Sequence, residues 1–554
     1  MPLVETPVVP IASPRRRSTR RGCRAAIVAA IALGWGAAVF AAAQARPAAP
    51  DRFEPLRRRM HEMLLQRLDA RAIGAWNSHR ALVSADSIDV RTTTSLSLIE
   101  AGVERVATYR AFNVVLLQAA RLEPYADSGS GVIAYQPGIV VTAAHVAGPR
   151  GRKHKVGFLD GGLREGVSMG GLADDFIDIG VVRFEAAPED PPPVPLGTDA
   201  VNVPELGEWV VSFGFAPLPG TGSDLTVRTR VGRVLRRLGP SALVDATFAP
   251  GDSGGPVFAM DGSLVGIATQ ANTRDAEANS MQTGDVLRAF VRTIITTGGN
   301  ADATQRWSPL ALNDQHVVPT TERFIAEHIE ARAAVSIADV GVLEVLDAAA
   351  GRAVRACLAT RVGPHELVTK ASVAEAVAID GRVWLRDGAG RVTASNIIGC
   401  DGAADLALLS TEPDARAALP GRTLRDAALR GAAPFPGMIL LCPGVAGVEA
   451  AGVSQGTIFP STWIEDRRGA NDPRDQLPVS GRRSGFGPVI VCDADLPPDA
   501  CGGPVVNLDA APLGIAIARF DRSAVLVLPM STIEESVIGM RAPDDERGAG
   551  VVRR

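Results

Sequence analysis

From about Thr92 onward, apolar residues fall in short Val- and Ile-rich runs separated by Gly, Pro and Asp. Short runs of this kind, bounded by turn formers, predict strands, and a long succession of them predicts an antiparallel sandwich or barrel. In the first half the predicted strands are Asn113–Gln118, Gly131–Tyr135, Ile139–Thr142, Val156–Asp160, Asp178–Glu185, Trp209–Phe215, Leu225–Leu235, Ala242–Thr247, Gly255–Met260 and Leu264–Gln270. A helical stretch, Gly284 to Thr297, closes this unit, and the loop Gly298 to Asp302 follows. The expected fold class is all-β.

Beyond that loop the series restarts. A helix-like lead-in, Thr320 to Ala333, precedes strand candidates at Gly341–Ala348, Val354–Arg361, Glu366–Val373, Leu406–Leu409, Gly437–Cys442, Val489–Cys492, Gly503–Leu508 and Leu513–Ala518. Local matches run in the same order in both halves. Leu367 to Val373 (LVTKASV) echoes Val140 to Val146 (VVTAAHV), the DLALL that begins at Asp405 echoes the DIGVV at Asp178, and the stretch from Cys501 (CGGPVVNLDAAPLGIAIA) echoes that from Ser253 (SGGPVFAMDGSLVGIATQ). Three ordered matches at similar separations predict an internal repeat.

Ahead of the β-rich region the pattern differs. Met60, Leu64, Leu65 and Leu68 recur at helical spacing, so 51–91 is expected to form a helical arm. His61 and Glu62 lie there, but the two-histidine zinc pattern needs a histidine where Leu65 stands. Arg15, Arg16, Arg17, Arg20, Arg21 and Arg24 precede an uncharged run from Ala25 to Ala43 and the small-x-small sequence Ala43, Gln44, Ala45. That order predicts an export signal over 1–50, with cleavage after Ala45 and retention as a single membrane anchor both open. In either case the remainder is expected outside the cytoplasm, periplasmic or extracellular.

At 554 residues the chain exceeds the roughly 250 to 300 at which one core stops growing, so more than one domain is expected. An apolar fraction of 46% with 21% charged residues is that of a globular protein and excludes wholesale disorder. The net charge of −4, from 57 basic and 61 acidic side chains, offers no field to gather nucleic acid. Cys23 lies ahead of the apolar run, and Cys357, Cys400, Cys442, Cys492 and Cys501 are all in the second half without a Cys-x-x-Cys pair, so no zinc spacing is present. Disulfides are permitted outside the cytoplasm, Cys492 with Cys501 among the candidates, and the pairing stays open.

The candidate chemistry lies in three segments of the first half: Thr142 to Val146 (TAAHV), Asp178 to Val182 (DIGVV) and Gly251 to Pro256 (GDSGGP). A serine hydroxyl is a poor nucleophile at neutral pH, so Ser253 needs a base, and an imidazole with a reference pKa near ~6.5 can take and return its proton. His145 is the candidate base. Asp178, directly before a strand, is preferred to Asp174 and Asp175 as the carboxylate that orients it. Glycine permits the chain turn that would aim the N–H groups of Gly251 and Ser253 at a developing oxyanion.

Together these segments resemble the trypsin-like serine endopeptidases, and the context Asp245 to Phe258 is most similar to their HtrA/Deg branch. The resemblance covers about 94–297. It implies two tandem double-β-barrel domains, an active one over 92–300 and a degenerate copy over 301–541, followed by a tail at 542–554. It further implies polypeptide substrates, no metal or cofactor, and a specificity pocket with Thr247 at its base and Thr269 and Ala271 on its wall, favouring a small or medium apolar side chain. HtrA-like enzymes usually carry Asn before the nucleophile. Asp252 stands there instead, matching the trypsin form, yet no IVGG-like start lies upstream, so no zymogen cleavage is expected and the partner of Asp252 is open. In the second half Ser372 and Cys501 stand at the positions of His145 and Ser253, and only Asp405 is kept, so that half is expected to be inactive. A thiol there would need a base, and the reach of His365, seven residues before Ser372, is open. The rivals are a non-catalytic peptide-binding protein and a hydrolase of non-peptide esters. Membrane association is expected only through 25–43, and the oligomeric state is open.

Overall fold

The computed structural model describes residues 95–119, 128–173, 177–196, 204–217, 225–271, 279–297, 318–329, 341–347, 354–411, 434–458, 478–521, 524–542 and 551–552. The export segment, the helical arm, and Asp174 and Asp175 lie outside them. Among the described residues no helix is long and apolar enough to cross a membrane.

Helix α1 (Leu96–Arg110) opens the described chain. No strand is expected before Asn113, and the stretch ahead of it is this helix: Leu96, Ile99, Val103 and Val106 recur at helical spacing and are all buried, so the apolar run is one helical stripe. Twelve strands follow: β1 (Val114–Ala119), β2 (Ser128–Ile133), β3 (Ile139–Thr142), β4 (Lys153–Gly157), β5 (Leu163–Ala173), β6 (Asp178–Phe184), β7 (Trp209–Pro217), β8 (Leu225–Leu238), β9 (Ser241–Val244), β10 (Pro256–Ala259), β11 (Leu264–Gln270) and β12 (Asn279–Thr283). They close into two six-stranded barrels, β1-β2-β3-β6-β5-β4 and β10-β11-β12-β9-β8-β7. Between β3 and β4 lies the single turn α2 (Ala144–Ala147), and α3 (Gly284–Thr297) packs against β5 and β6 of the first barrel and β11 and β12 of the second.

Two of these strands escaped the sequence reading for a physical reason. β5 is half exposed and glycine-rich, so it shows no apolar run. β12 (NSMQT) is polar yet buried, its side chains satisfied by Asn279 Nδ2 donating to Ala246 O (2.8 Å), Gln282 Nε2 to Ser241 Oγ (2.7 Å) and Thr283 Oγ1 to Pro240 O (3.0 Å).

The chain then passes through α4 (Thr321–Glu327), whose Phe324 meets Trp209 edge to face at 5.4 Å while the Arg233 guanidinium lies 4.4 Å over the Phe324 ring. Asp245 accepts from the Thr321 hydroxyl (2.9 Å) and backbone N–H, pinning this connection to the second barrel.

The repeat follows as β13 (Val342–Asp347), β14 (Val354–Arg361), β15 (Glu366–Lys370), the helix α5 (Ala371–Val377), β16 (Arg382–Arg386), β17 (Val392–Asp401) and β18 (Leu406–Thr411). β16 pairs with both β13 and β17, which closes the sheet. β19 (Ile439–Pro443), β20 (Val448–Ile458), β21 (Val489–Cys492), β22 (Pro504–Val506), β23 (Pro512–Asp521) and β24 (Ala524–Pro529) form the fourth barrel, followed by α6 (Met530–Arg541). β25 (Val551–Val552), in the expected tail, adds to β17. The strand expected to run to Val373 ends at Lys370 and turns into α5, as β3 turns into α2.

The fold is therefore all-β, with two tandem double barrels. One buried cluster joins them: Leu96, Ile99 and Val103 of α1, Trp209 and Phe258 of the second barrel, Phe324 of α4, and Ile439, Leu441 and Val453 of the fourth. Cys357, Cys442, Cys492 and Cys501 are free and buried and Cys400 is buried, so the candidate Cys492–Cys501 disulfide is not formed.

Glu100 of α1 accepts from the Ile439 backbone N–H at 2.8 Å across this junction. Burial pushes its carboxyl up from 4.5 to about 7, against the lowering effect of that hydrogen bond, and Asp493 in the second half is pushed to about 6 by burial as well. A carboxyl raised in the folded state binds its proton more tightly there than in the unfolded chain, so stability rises as pH falls from about 7 to about 4.5. Glu100→Gln should raise the thermal midpoint at pH 8, and its advantage over the wild type should shrink as pH is lowered, as read by calorimetric scans across that range.

Candidate active site

β3 delivers His145. All four of its residues are buried, and in the turn that follows Ala144, Val146 and Ala147 are buried while His145 alone faces out, its side chain 52% exposed. The turn lies so close to β6 that a Cβ on Gly180 would come within 2.5 Å of the Ala147 Cβ and 2.9 Å of the Ala143 carbonyl oxygen, so only glycine fits. That approach brings Asp178, two residues earlier on β6, under the turn. Its Oδ1 accepts from the His145 backbone N–H (3.1 Å), and its Oδ2 lies 2.7 Å from Nδ1. The carboxylate holds the ring proton on Nδ1 and leaves Nε2 as an acceptor toward solvent. The hydrogen bond to Asp178 raises the His145 pKa above its ordinary 6.5, outweighing the effect of partial burial.

Ser253 comes from the other barrel, on the loop before β10. Gly251 has φ +101°, and a Cβ there would meet the Phe215 carbonyl oxygen at 2.5 Å. The loop is tied inward by Gly254 N–H to Ala268 O (2.6 Å) and Gly255 N–H to Asp252 O (2.8 Å). Asp252, whose partner the sequence left open, is buried and pairs with Arg230 of β8 at 3.2 Å. Ser130 of β2 laces the loop to the first barrel. Its N–H donates to Ser253 O (2.8 Å), its hydroxyl donates to Gly251 O and accepts from Phe215 N–H (both 2.7 Å), and its carbonyl accepts from the Thr142 hydroxyl (2.6 Å). The N–H groups of Gly251 and Ser253 have no acceptor among the described residues. The Ser253 hydroxyl donates to Thr269 O at 3.4 Å and makes no hydrogen bond to His145. A bond that long is weak, and catalytic hydrogen bonds are often misaligned until substrate binds.

Residues 129–267, which contain Ser130, His145, Asp178, Asp252 and Ser253, match the family described as "Trypsin-like peptidase domain". Curated relatives agree. The putative serine protease HhoA of Synechocystis is 33% identical over 150 residues, 26% of this chain and 37% of that protein. A probable periplasmic serine endoprotease, DegP-like, of Halomonas elongata is 31% identical over 152 residues, 26% of this chain and 30% of that protein. The serine protease PepD of Mycobacterium tuberculosis is 28% identical over 209 residues, 34% of this chain and 43% of that protein. The first half of the chain carries a trypsin-like peptidase domain of the HtrA/Deg kind. The match spans less than half the length of each of these relatives.

Around the peptidase loop, Thr269 is brought beside Ser253 and is nearly buried, its hydroxyl donating to Ser280 O (3.1 Å). Ala271, just past the end of β11, is half buried. Thr247 is half buried six residues before Ser253, with no side-chain hydrogen bond among the described residues.

The second double barrel repeats the peptidase domain's framework bond for bond. Leu358 N–H donates to Cys501 O (2.8 Å), the Thr369 hydroxyl to Leu358 O (2.7 Å), Gly502 N–H to Ala516 O (2.7 Å) and Ser372 N–H to Asp405 Oδ1 (2.7 Å). The groups at the centre differ. The Ser372 hydroxyl takes the second Asp405 oxygen (2.9 Å), Leu358 stands where Ser130 would lace the loop, and Asp499 stands at the Gly251 position in a 3-10 turn. The Lys370 ammonium is buried against Asp405 (2.8 Å) and donates to Ile517 O (2.7 Å), the carbonyl matching Thr269 O. Burial pushes the Cys501 thiol above its ordinary value, and the imidazole of His365 stands beyond the far end of β15, roughly 16 Å from Ser372 at ~3.3 Å per strand residue.

Three residues that organise the peptidase site were not singled out from sequence. Ser130 sits in a Ser-Gly-Ser-Gly run that reads as a turn. Arg228 and Arg230 alternate with Val227, Thr229 and Val231, which marks charges on one strand face but does not say what meets them. Ser130→Ala strands the buried Phe215 N–H and Gly251 O, each a penalty of about 1 to 3 kcal/mol. The expected outcome is a loss of a few kcal/mol in chemical denaturation, with casein hydrolysis reduced by more than the unfolded fraction explains.

Proposed function

We propose that this chain is an exported serine endopeptidase in which His145, Asp178 and Ser253 act as the catalytic triad. The observation that carries the reading is the grip of both Asp178 oxygens on a solvent-facing His145, next to a loop that Ser130 binds to the same barrel. Ser253 Oγ attacks the scissile carbonyl carbon while its proton passes to His145 Nε2. The oxyanion is taken by the N–H groups of Gly251 and Ser253. Collapse of the tetrahedral intermediate expels the amine, which takes the proton from His145, and leaves an acyl-enzyme. Water, deprotonated by the same imidazole, releases the acid and restores Ser253. Asp178 stabilises the imidazolium.

The proposal extends to the division of the chain, with the active domain over 92–300 and a catalytically inert copy over 301–541. The buried Lys370–Asp405 pair and the neutral, enclosed Cys501 support inactivity of the copy, since neither a base nor a thiolate is available there. Polypeptide substrates and a periplasmic location follow from the likeness to the DegP-like periplasmic endoproteases, and the arginine-rich, apolar order of 15–43 agrees with export. The pocket of Thr247, Thr269 and Ala271 is proposed to take a small or medium apolar side chain. A non-catalytic peptide-binding role is the second reading, favoured by the Ser253 hydroxyl's bond to Thr269 in place of His145.

A fluorophosphonate probe separates the two. The wild type should be labelled at Ser253, labelling should vanish in Ser253→Ala and His145→Ala, and Cys501→Ala should label normally; an unlabelled wild type at neutral pH favours the binding protein. The base must be neutral to accept a proton and its pKa is raised, so kcat/KM should fall on acidification with a midpoint above about 6.5. Asp178→Asn should move that midpoint down and lower kcat by up to ~10,000-fold, whereas an unmoved acid limb in this variant would remove Asp178 from the triad.

A further inference from the structure

The loop that carries Ser253 is anchored at its middle by one charge pair. Asp252 is 1% exposed, its Oδ2 accepting from Ala249 N–H (2.8 Å) and lying 3.2 Å from both Nε and a terminal nitrogen of Arg230, whose side chain is fully buried. The carboxylate lies flat on β7, where a Cβ on Gly214 would fall 2.4 Å from Oδ1. Asp252 lies between Gly251 and Ser253, whose N–H groups are the proposed oxyanion donors. A buried carboxylate is costly without a cation, so this loop geometry depends on Arg230.

Arg230 is held from the other half of the molecule. Thr229, between Arg228 and Arg230, accepts through its carbonyl from the Gln455 side-chain amide of β20. Arg228 is also fully buried. Burial and the neighbouring Arg230 lower its pKa to about 10, opposed by Asp521, Asp252 and Asp493. Asp521 and Asp493 belong to the second double barrel, and Asp493 is fixed there by Val453 N–H (2.5 Å). Arg230 is in contact with Asp252, and Arg228, Asp493 and Asp521 are their electrostatic neighbours at the junction of the halves.

We propose that Arg230 is the positioning residue that keeps the Gly251–Ser253 backbone in its oxyanion-binding form, and that the second double barrel acts as its cover, excluding water and supplying Asp493 to balance Arg228. The inert copy is then an intramolecular activator of the first site: with Asp493 neutral, Arg228 competes with Arg230 for Asp252. The proposal rests on the reading of Ser253 as nucleophile.

The test uses the full chain, with kcat and KM for a peptide substrate measured alongside fluorophosphonate labelling and thermal unfolding. Arg230→Met should lower kcat on the order of 100-fold, the cost of one oxyanion donor, with KM within about twofold, and Arg230→Lys should recover activity to within about tenfold of the wild type. Asp493→Asn, remote from substrate, should lower kcat by up to about tenfold at unchanged KM, less than a full donor's loss. Should Arg230→Met not fold, Arg230→Lys and Asp493→Asn decide the question. Folded variants that turn over at the wild-type kcat, or that lose activity through KM alone, overturn the proposal. A wild type that is neither labelled nor active removes instead the triad reading beneath it.

Discussion

The candidate site depends on a side chain that takes no part in its chemistry. His145 and Asp178 stand on the first barrel and Ser253 on the second, and no strand pairs across that seam. The Ser130 hydroxyl bridges it, donating to the carbonyl of Gly251 and accepting from the N–H of Phe215, while its backbone N–H donates to Ser253 O and its carbonyl accepts from the Thr142 hydroxyl. A hydroxyl is suited to this place because it is both donor and acceptor in a volume that a dry seam can hold. Without it, two buried backbone groups would be left without partners. In the second double barrel Leu358 takes this position, and the nucleophile loop there has relaxed into a 3-10 turn.

The two double barrels differ in how they use burial. In the first, charge is kept at the surface of the site: the His145 side chain is 52% exposed and Asp178 25%. An imidazole there can exchange protons with substrate and water. In the second, the same framework encloses its charges, with Lys370 and Asp405 each 2% exposed. A buried, paired ammonium satisfies the carbonyl at 517 and the carboxylate at once, and a pair of this kind is structural: removing one partner strands the other. The second framework thus holds a polar core where the first has an exposed imidazole and carboxylate.

The junction between the halves is mixed in character. Apolar residues of α1, α4 and the second and fourth barrels form one cluster, and beside it lie Arg228, Arg230, Asp252 and Asp493. Apolar burial supplies association without direction. The charges, in a low-dielectric setting, supply direction and register.

Much of this was legible in the chain alone. The all-β class, most strand positions, the internal repeat and the His-Asp-Ser segments follow from local pattern, because period and turn chemistry are properties of neighbouring residues. α1 was not assigned, β5 was missed because it is half exposed and glycine-rich, and β12 because its buried side chains are polar. Which of the acidic residues meets His145, what pairs with Asp252, and why Ser130 matters were decided only by the fold: each joins positions between 22 and 121 residues apart. Partners at that separation are selected by barrel closure and by the demand that every buried polar group be met, and neither leaves a mark on adjacent residues. The sequence determined which groups are present and on which strands; the tertiary structure determined which of them touch.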